Sequence, residues 1–366
     1  MVEWKKLGDI CEIIRGNGVQ KTYFVESGVG CIHYGQIYTH YGPFTYTTNK
    51  FVSKEVFEKA RKASKGDIIM TDTSENVEDI CKSVAYLGEE DIAVSNHALI
   101  LKHKQNPKFL TYSTLTNSFL NQKRKYVVGA KVSGIKPEKL AQIKIYLPSL
   151  PEQQRIVEQL DTFTSSIENL KEQIAQRRKQ YEFYRDQLLD LEGKEGVEMK
   201  IEEFCLLKAG KSVSADDISE YYHKNNYPCI GGNGVRGYVP LYSHEGEYPI
   251  IGRQGALCGC VNWITGKFYA TEHAVVASGY DGINQRFLFY LFENADLNQY
   301  KTQGAQPGLS VTKLNEVKFK IPPLQEQQRI VTILDTFESS ILNLEAQLKQ
   351  REKQYEYYRN KLLTFE

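Results

Sequence analysis

The sequence predicts a mixed α/β fold, in which two globular α/β domains are separated by two long helices that pair as an antiparallel coiled coil. Three observations support this prediction: the length of the chain, an internal repeat, and an unbroken apolar period in each copy of the repeat. The 366 residues are enough for two or three domains. The apolar fraction of 41% and the charged fraction of 25% are those of a globular protein with real cores rather than of a disordered chain.

The repeat divides the chain into two similar halves. Residues 147–191 align with residues 321–365 without a gap, and about 28 of about 45 positions are identical. Weaker matches extend outward, as in "SNHALIL" with "TEHAVVA" and "SGIKPEKLAQIKIYLP" with "PGLSVTKLNEVKFKIP". We therefore predict two variable globular domains, each followed by a constant segment with a pseudo-twofold relation to the other. The predicted boundaries are 1–146 and 197–320 for the domains, and 147–196 and 321–366 for the constant segments.

Each constant segment predicts one long helix. Apolar residues recur at alternating spacings of four and three, which is the 3.5-residue period of a coiled-coil seam. Pro151 suits a first helical turn, and Gly193 is expected to end the first helix. The predicted seam includes Leu160, Phe163, Ile167, Leu170 and Arg177 in the first copy, and Leu334, Phe337, Ile341, Leu344 and Arg351 in the second.

The two helices are expected to pack on each other within one chain, because an unpaired apolar ladder would expose too much surface. More than a hundred residues lie between them, so the chain can return and let them run antiparallel. Arg177 and Arg351 occupy the same seam position in the two copies. Two interpretations stay open, since a polar seam residue can fix the register and a long arginine can also extend past the seam into solvent.

The variable domains show alternating strand and helix signals. Strands are predicted at "GDIIMT", "AVSNHALIL", "QIKIYLP", "EYPIIG" and "HAVVAS". Helices are predicted at Ser53–Ala63, in the stretch "NPKFLTYSTLTNSFLNQ" and in "INQRFLFYLFEN". His97 and His273 fall in matching apolar strands, so a structural role is expected for both.

Motifs for catalysis are absent from the sequence. "GGNGVRGY" contains G-x-G-x-x-G, but Pro240 excludes the helix that a dinucleotide site needs. "NPKF" resembles a methyltransferase motif but lacks its second proline. There is no Walker A, H-E-x-x-H or G-x-S-x-G motif. Cys258 and Cys260 have no second ligand pair nearby. We therefore predict no catalytic residue, no metal and no cofactor in this chain.

Two different domains on a rigid spacer predict a partner with two dissimilar features, and double-stranded DNA with two half-sites fits. The net charge is only +1, but residues 1–146 carry about 21 Lys and Arg against about 15 Asp and Glu. Loops rich in Tyr, Asn, Gln and Thr suit contacts to base edges. The candidate DNA-binding residues are Gln36, Thr73, Lys123, Arg124, Lys125 and Lys131 in the first domain, and Asn233, Arg236, Arg253, Gln254 and Lys267 in the second.

The sequence also predicts a cytoplasmic protein. The N-terminus "MVEWKKLGDI" has no apolar run, and no segment has the length of a membrane span. The seven cysteines are scattered and odd in number, which is typical of free thiols in a reducing compartment.

The chain closely resembles the specificity (S) subunit of type I restriction–modification enzymes. The resemblance rests on "LPSLPEQQRIVEQLD" and "IPPLQEQQRIVTILD", each after a variable domain, and on "GDIIMTDTSE" and "YPIIGRQGA". It covers essentially the whole chain. It implies two target recognition domains that read a bipartite asymmetric DNA sequence. It also implies two methyltransferase (M) subunits that use S-adenosylmethionine, and restriction (R) motor–nuclease subunits that use ATP and Mg²⁺.

Two rival hypotheses belong to other classes. A structural coiled-coil adaptor with two protein-binding domains would have no affinity for DNA. A self-contained modification enzyme would bind S-adenosylmethionine as an isolated chain.

Overall fold

The computed structural model describes residues 3–128, 133–255, 257–302 and 308–364. The chain divides into two compact units, residues 1–170 with 347–366, and residues 171–346. The division passes through both long helices, Leu150–Leu189 and Leu324–Thr364. The domain boundaries drawn from the repeat stay predictions, because a division by compactness follows a different criterion.

The first unit contains two five-stranded sheets. In one, the strand order is Cys11–Arg15, Ala98–His103, Ile68–Thr71, Ser83–Tyr86, Phe44–Thr45; in the other it is Phe24–Val25, Lys50–Val52, Val29–Ile32, Ile92–Val94, Arg61–Ala63. Two short pairs complete the unit: Glu3–Lys6 with Lys144–Leu147, and Thr73–Ser74 with Ser133–Gly134. The predicted strands at "GDIIMT" and "QIKIYLP" are confirmed.

The described part of the first unit contains six short helices, and four of them begin at a side-chain cap, His33, Ser53, Asn106 or Thr116. They are Leu7–Ile10, Tyr34–Thr39, Lys54–Lys59, Pro107–Ser113, Asn117–Arg124 and Pro137–Leu140, with a 3₁₀ turn at Lys21–Tyr23. The predicted helix from Ser53 does start there, with the Ser53 hydroxyl accepting from the Val56 amide at 3.3 Å. It ends at Lys59, not Ala63, because Arg61–Ala63 pairs as a strand. The predicted helix after Asn106 is two helices, since Thr116 caps a second one.

The second unit contains one six-stranded sheet, a strand pair and its own short helices. The sheet order is Cys205–Ala209, Ala274–Gly279, His244–Gly252, Val261–Ala270, Tyr227–Gly231, Gly234–Val239. Val197–Lys200 pairs with Lys318–Ile321. The short helices are Ile201–Phe204, Gln285–Asn294 and Val311–Asn315, with 3₁₀ turns at Ala215–Asp217 and Leu297–Tyr300. The glycine-rich G-x-G-x-x-G stretch forms part of a β-hairpin.

The long helices are antiparallel in each unit. In the first unit, near the start of one helix and the end of the other, Phe163 stacks on Tyr358 with ring centroids 5.4 Å apart. In the second unit, Tyr184 stacks on Phe337 at 5.3 Å. These two pairs are exact equivalents under the repeat, so the predicted antiparallel pairing and the repeat are confirmed. The first helix ends at Leu189, a few residues before Gly193.

The seam arginines contact aromatic rings. The Arg351 guanidinium carbon lies 5.8 Å from the Phe163 ring centroid, and the Arg177 guanidinium carbon lies 5.8 Å from the Phe337 ring centroid. Both side chains are half-buried. The same cation–π contact in both copies favours a defined place at the seam over simple extension into solvent.

A repeated set of hydrogen bonds joins each sheet domain to its long helix; we call this set the joint. In the first unit, buried Gln153 accepts from the Asn106 amide at 2.9 Å and donates to the carbonyl of Pro148 at 2.9 Å. Farther along the helix, Asp161 accepts from the Tyr112 hydroxyl at 2.7 Å and from the Lys108 ammonium at 2.6 Å.

The second unit repeats this joint with equivalent residues. Gln327 accepts from the Asn284 amide at 2.8 Å and donates to the carbonyl of Pro322 at 2.9 Å. Asp335 accepts from the Tyr290 hydroxyl at 2.6 Å and from Arg286 Nε at 2.8 Å. The constant helix residues therefore have a packing role, which explains why the two copies keep them.

Candidate nucleic-acid interface

In both units, one end of the main sheet is built by the same backbone hydrogen bonds. In the first unit, the Asp72 amide donates to the carbonyl of His97 at 3.2 Å, and the Ile135 amide donates to the carbonyl of Asp72 at 2.9 Å. In the second unit, Arg253 donates to the His273 carbonyl and Leu309 donates to the Arg253 carbonyl, both at 2.8 Å. Asp72 and Arg253 therefore occupy one structural position.

The next residue is also equivalent in the two units. Thr73 pairs with Gly134 in an antiparallel ladder. Gln254 forms an antiparallel bridge with Gly308. We call residues 72, 73 and 97 of the first unit, and 253, 254 and 273 of the second, the sheet end. The sheet end is one backbone scaffold that carries different side chains in the two units.

The histidines of the sheet end lie in turns, so the expectation that they sit within strands is wrong. His97 and His273 immediately precede the strands Ala98–His103 and Ala274–Gly279. His97 has φ +62°, a conformation that a strand residue does not adopt. Its side chain is 57% exposed, against 37% for that of His273. The sequence hid the turn because the apolar run continues on both sides of it.

A groove of about 800 Å³ lies beside the sheet end of the first unit. Its wall holds three rings in contact, with the Tyr34 ring centroid 4.5 Å from that of His33 in a tilted pair and 5.4 Å from that of His97 in an edge-to-face pair. Burial, and then the charges of Lys21 and His97, lower the pKa of His33 below its usual range. At neutral pH, His33 is therefore a neutral ring. Lys21 and Lys50 supply positive charge at the groove, and Glu75 and Asp79 supply negative charge. Aromatic and cationic groups together suit contact with nucleic acid.

Asp72 lies at this sheet end as a buried carboxylate. One of its oxygens is 2.9 Å from an Arg15 terminal nitrogen, and the side chain is only 2% exposed. The other oxygen has no hydrogen-bond partner among the described residues, and the His97 imidazole is 3.9 Å away. The carboxylate thus fixes Arg15 at the sheet end.

Two candidates in the first unit use their polar groups internally, which argues against a direct DNA contact by either. Lys123 is 1% exposed, and its ammonium donates to the carbonyls of Glu78 at 2.8 Å and Ile80 at 2.9 Å. Burial lowers the pKa of Lys123. Gln36 is buried as well, accepts from the His33 amide at 2.8 Å and donates to Asn49. Nothing in the sequence distinguished Lys123 from its exposed neighbours.

The other candidates of the first unit differ in position. Thr73 is half-buried, lines the groove and lies at the sheet end. Arg124 is exposed and pairs with Glu78 at 3.0 Å. Lys125 is exposed next to it. Lys131 lies outside the described residues. DNA contact stays a prediction for these four.

In the second unit, three of the five candidates lie together. Arg253 and Gln254 belong to the sheet end, and Asn233 is exposed in the adjoining hairpin turn. A Cβ at Gly232 in that turn would be 3.0 Å from the Gln254 carbonyl, so a side chain there would be tight against this backbone. Arg236 is exposed on the same hairpin. Lys267 lies elsewhere on the sheet, 4.6 Å from the Tyr242 ring centroid.

The comparisons with known proteins agree with this doubled arrangement. The model of the type I restriction modification DNA specificity domain matches residues 1–177 and 194–353. The chain belongs to this family. Each half of the specificity subunit carries one match, in accordance with the repeat.

Curated relatives and solved structures support the same assignment. An Escherichia coli type I restriction enzyme specificity subunit, EcoprrI, is 46% identical over 166 residues, which cover 44% of this chain and 41% of that relative. A putative type I specificity subunit of Haemophilus influenzae is 34% identical over 74% of this chain and 76% of its own length. The crystal structure of an S subunit from M. genitalium covers 99% of this chain at a TM-score of 0.64 and 16% identity, and 96% of that structure is matched.

These findings confirm the resemblance, the mixed α/β fold and the function of DNA target recognition by two domains. Over the described ranges, no group of three or more His, Cys, Asp and Glu side chains could hold a metal ion. None of the helices in the described part of the chain is long and apolar enough to cross a membrane.

Proposed function

We propose that this specificity subunit reads a bipartite asymmetric DNA sequence, with one half-site for each domain. The observation that carries the proposal is the sheet end. One backbone scaffold, held by equivalent hydrogen bonds, presents Asp72 and Thr73 in one domain and Arg253 and Gln254 in the other. Two copies of one reading surface with different side chains are what an asymmetric target requires.

We further propose that the subunit is a non-catalytic, cytoplasmic scaffold. It assembles with two M subunits, which bind S-adenosylmethionine, and with R subunits, which use ATP and Mg²⁺. Large exposed side chains on the long helices, such as those of Phe183 and Tyr357, are available for contact with such partners. We expect the highly purified chain alone to show no methyltransferase, nuclease or ATPase turnover. Activity that survives full purification and follows this chain would contradict the assignment.

Exchange of one domain tests the division of labour between the two. Residues 1–146 are replaced by the equivalent domain of another specificity subunit, and methylated adenines are mapped for the complex with its M subunits. We expect one half-site to change and the other to stay as it is. A change in both half-sites would contradict independent reading. The adaptor hypothesis predicts that neither the original nor the exchanged protein contributes any sequence preference to the complex.

A further inference from the structure

We propose that Thr73 in the first domain and Gln254 in the second each determine one base pair of their own half-site, and that Gln254 reads an adenine. We call this place in the sheet end, one residue after Asp72 or Arg253, the second position. This inference rests on the proposed function, because it names the reading residues for half-sites that the two domains are proposed to recognise separately.

The two positions are equivalent by structure and not by residue type. Each follows a residue whose amide donates to the carbonyl of the turn histidine. Each pairs antiparallel with a glycine, Gly134 or Gly308, that stands at the same place in the repeat. Their backbones are therefore held on both sides, and a side chain on a fixed backbone can discriminate between bases better than one on a free loop.

Among the described residues, both side chains have polar groups available to a ligand. No hydrogen bond of the Thr73 hydroxyl or of the Gln254 amide group to another described residue is present. Their neighbours at the sheet end are held in part by internal contacts. Arg253 Nε donates to the carbonyl of Leu309 at 3.2 Å, and Asp72 is paired with Arg15. Within the described residues, the second position thus presents an unused donor or acceptor in each domain.

The surroundings also fit a base edge. Gln254 is exposed and lies against the hairpin turn at Gly232. Thr73 lines the groove together with Tyr34, His97 and Lys50. In the major groove, a glutamine amide can accept from adenine N6 and donate to adenine N7 at once. A threonine offers one hydroxyl and a methyl group, so the first half-site should be less sharply defined at its equivalent base pair.

The experiment uses the full-length subunit assembled with its methyltransferase partners on a library of randomised targets. The variants are Gln254→Ala, Gln254→Glu and Thr73→Ala. Thr265→Ala is the matched control, since Thr265 is exposed near the other end of the same sheet hairpin. The methylated members of the library are sequenced to give the base preference at every position of both half-sites. A thermal melt of each complex reports folding.

For Gln254→Ala, we expect discrimination to fall about 10- to 100-fold at one base pair of the second half-site, the effect of one lost bidentate contact. Gln254→Glu should move that preference from adenine toward cytosine, because a carboxylate accepts from cytosine N4 and cannot donate. Thr73→Ala should lower discrimination less, at one base pair of the first half-site. The control should match the original protein.

Each other outcome has a definite meaning. If the original complex shows a bipartite target but folded Gln254→Ala and Gln254→Glu complexes keep every base preference, the inference about position 254 is wrong while the proposed function stands. If one substitution alters both half-sites, the second position acts on the whole assembly and the inference is also wrong. If the original complex shows no separable half-sites, the proposed function itself fails.

Discussion

The joint between the first domain and its helix gives a prediction whose size follows from the contacts. Gln153 is fully buried and makes three hydrogen bonds, from the Asn106 amide and to Pro148 and Gln105, each at 2.9 Å. Gln153→Ala leaves the Asn106 amide and the buried Pro148 carbonyl without partners. Each unsatisfied buried group costs about 1–3 kcal/mol. Since water can reach the half-buried Asn106, we expect a loss of about 2–4 kcal/mol in the free energy of unfolding of the first unit.

The two tryptophans allow each unit to be followed separately. Trp4 belongs to the first unit and packs on Tyr146 with ring centroids 4.0 Å apart, and Trp263 belongs to the second. In a Trp263→Phe background, Trp4 fluorescence reports urea unfolding of the first unit. With a slope of about 2 kcal/mol per molar urea, Gln153→Ala should lower the midpoint by about 1–2 M.

The neighbouring glutamine supplies the control. Gln154 also reaches Asn106, accepting from its side-chain amide at 2.8 Å, but this bond is exposed. Gln154→Ala should therefore cost less than about 1 kcal/mol. If Gln153→Ala and Gln154→Ala shift the midpoint equally, the buried joint does not hold the domain to the helix. Gln327→Ala should reproduce the large effect in the second unit, read through Trp263 in a Trp4→Phe background.

Two further predictions concern titration and the helix seam. Burial lowers the pKa of His103 in the folded chain. Below about pH 6.5, the unfolded chain therefore binds a proton at this residue that the folded chain does not bind. The free energy of unfolding should fall as the pH drops from about 6.5 toward the lowered pKa. His103→Asn should reduce this acid loss in urea titrations at pH 7 and 5.5, and an equal loss in both proteins would refute it. At the seam, Arg351→Met should cost at most about 1 kcal/mol, the size of an accessible cation–π contact. Phe163→Ala should cost more, because it also removes the ring stacked on Tyr358; equal costs in thermal melts would show that the stack contributes nothing.

The long helices could be predicted because their signal is local and long. An apolar period of 3.5 residues that is maintained over about forty residues fits a long coiled-coil helix better than any other secondary structure. Ile156, Leu160 and Leu334 are fully buried, each within a core that its helix shares with the neighbouring sheet domain. Some strands, such as Ile68–Thr71 and Lys144–Leu147, were found because their apolar runs are bounded by turn residues. Their pairing order could not be found, because it depends on contacts between residues far apart in the chain.

The reading surface was predicted only in part, for a physical reason. Polar residue types in loops are the same whether a side chain meets solvent, a ligand or the protein interior. Lys123 and Arg124 are adjacent in sequence, yet the first is buried against two carbonyls and the second is exposed. Only the fold separates them. The equivalence of Thr73 and Gln254 was hidden as well, because the residue types differ where the domains have different tasks.

The joint was missed although the sequence contained a signal for it. "NPKFLTYST" and "NQRFLFYLF" share an asparagine and, six residues later, a tyrosine. These are Asn106 with Tyr112 and Asn284 with Tyr290, the domain residues that meet the constant helices. From its residue type alone, a polar helix residue such as Gln153 is expected to be solvent-exposed. Aligning the short helices of the two domains would have shown that its partner is repeated too.

The joint also explains how one chain can combine constant helices with divergent domains. On the helix side, each joint uses a glutamine and an aspartate eight residues apart, Gln153 with Asp161 in the first copy. On the domain side, it needs the cap asparagine and the tyrosine of one short helix, while Lys108 in the first domain is replaced by Arg286 in the second without loss of the ion pair. The sheet end makes none of these contacts. A domain that keeps two side chains at its joint can therefore change its sheet end freely, so that selection for a new DNA half-site leaves the attachment to the helix intact.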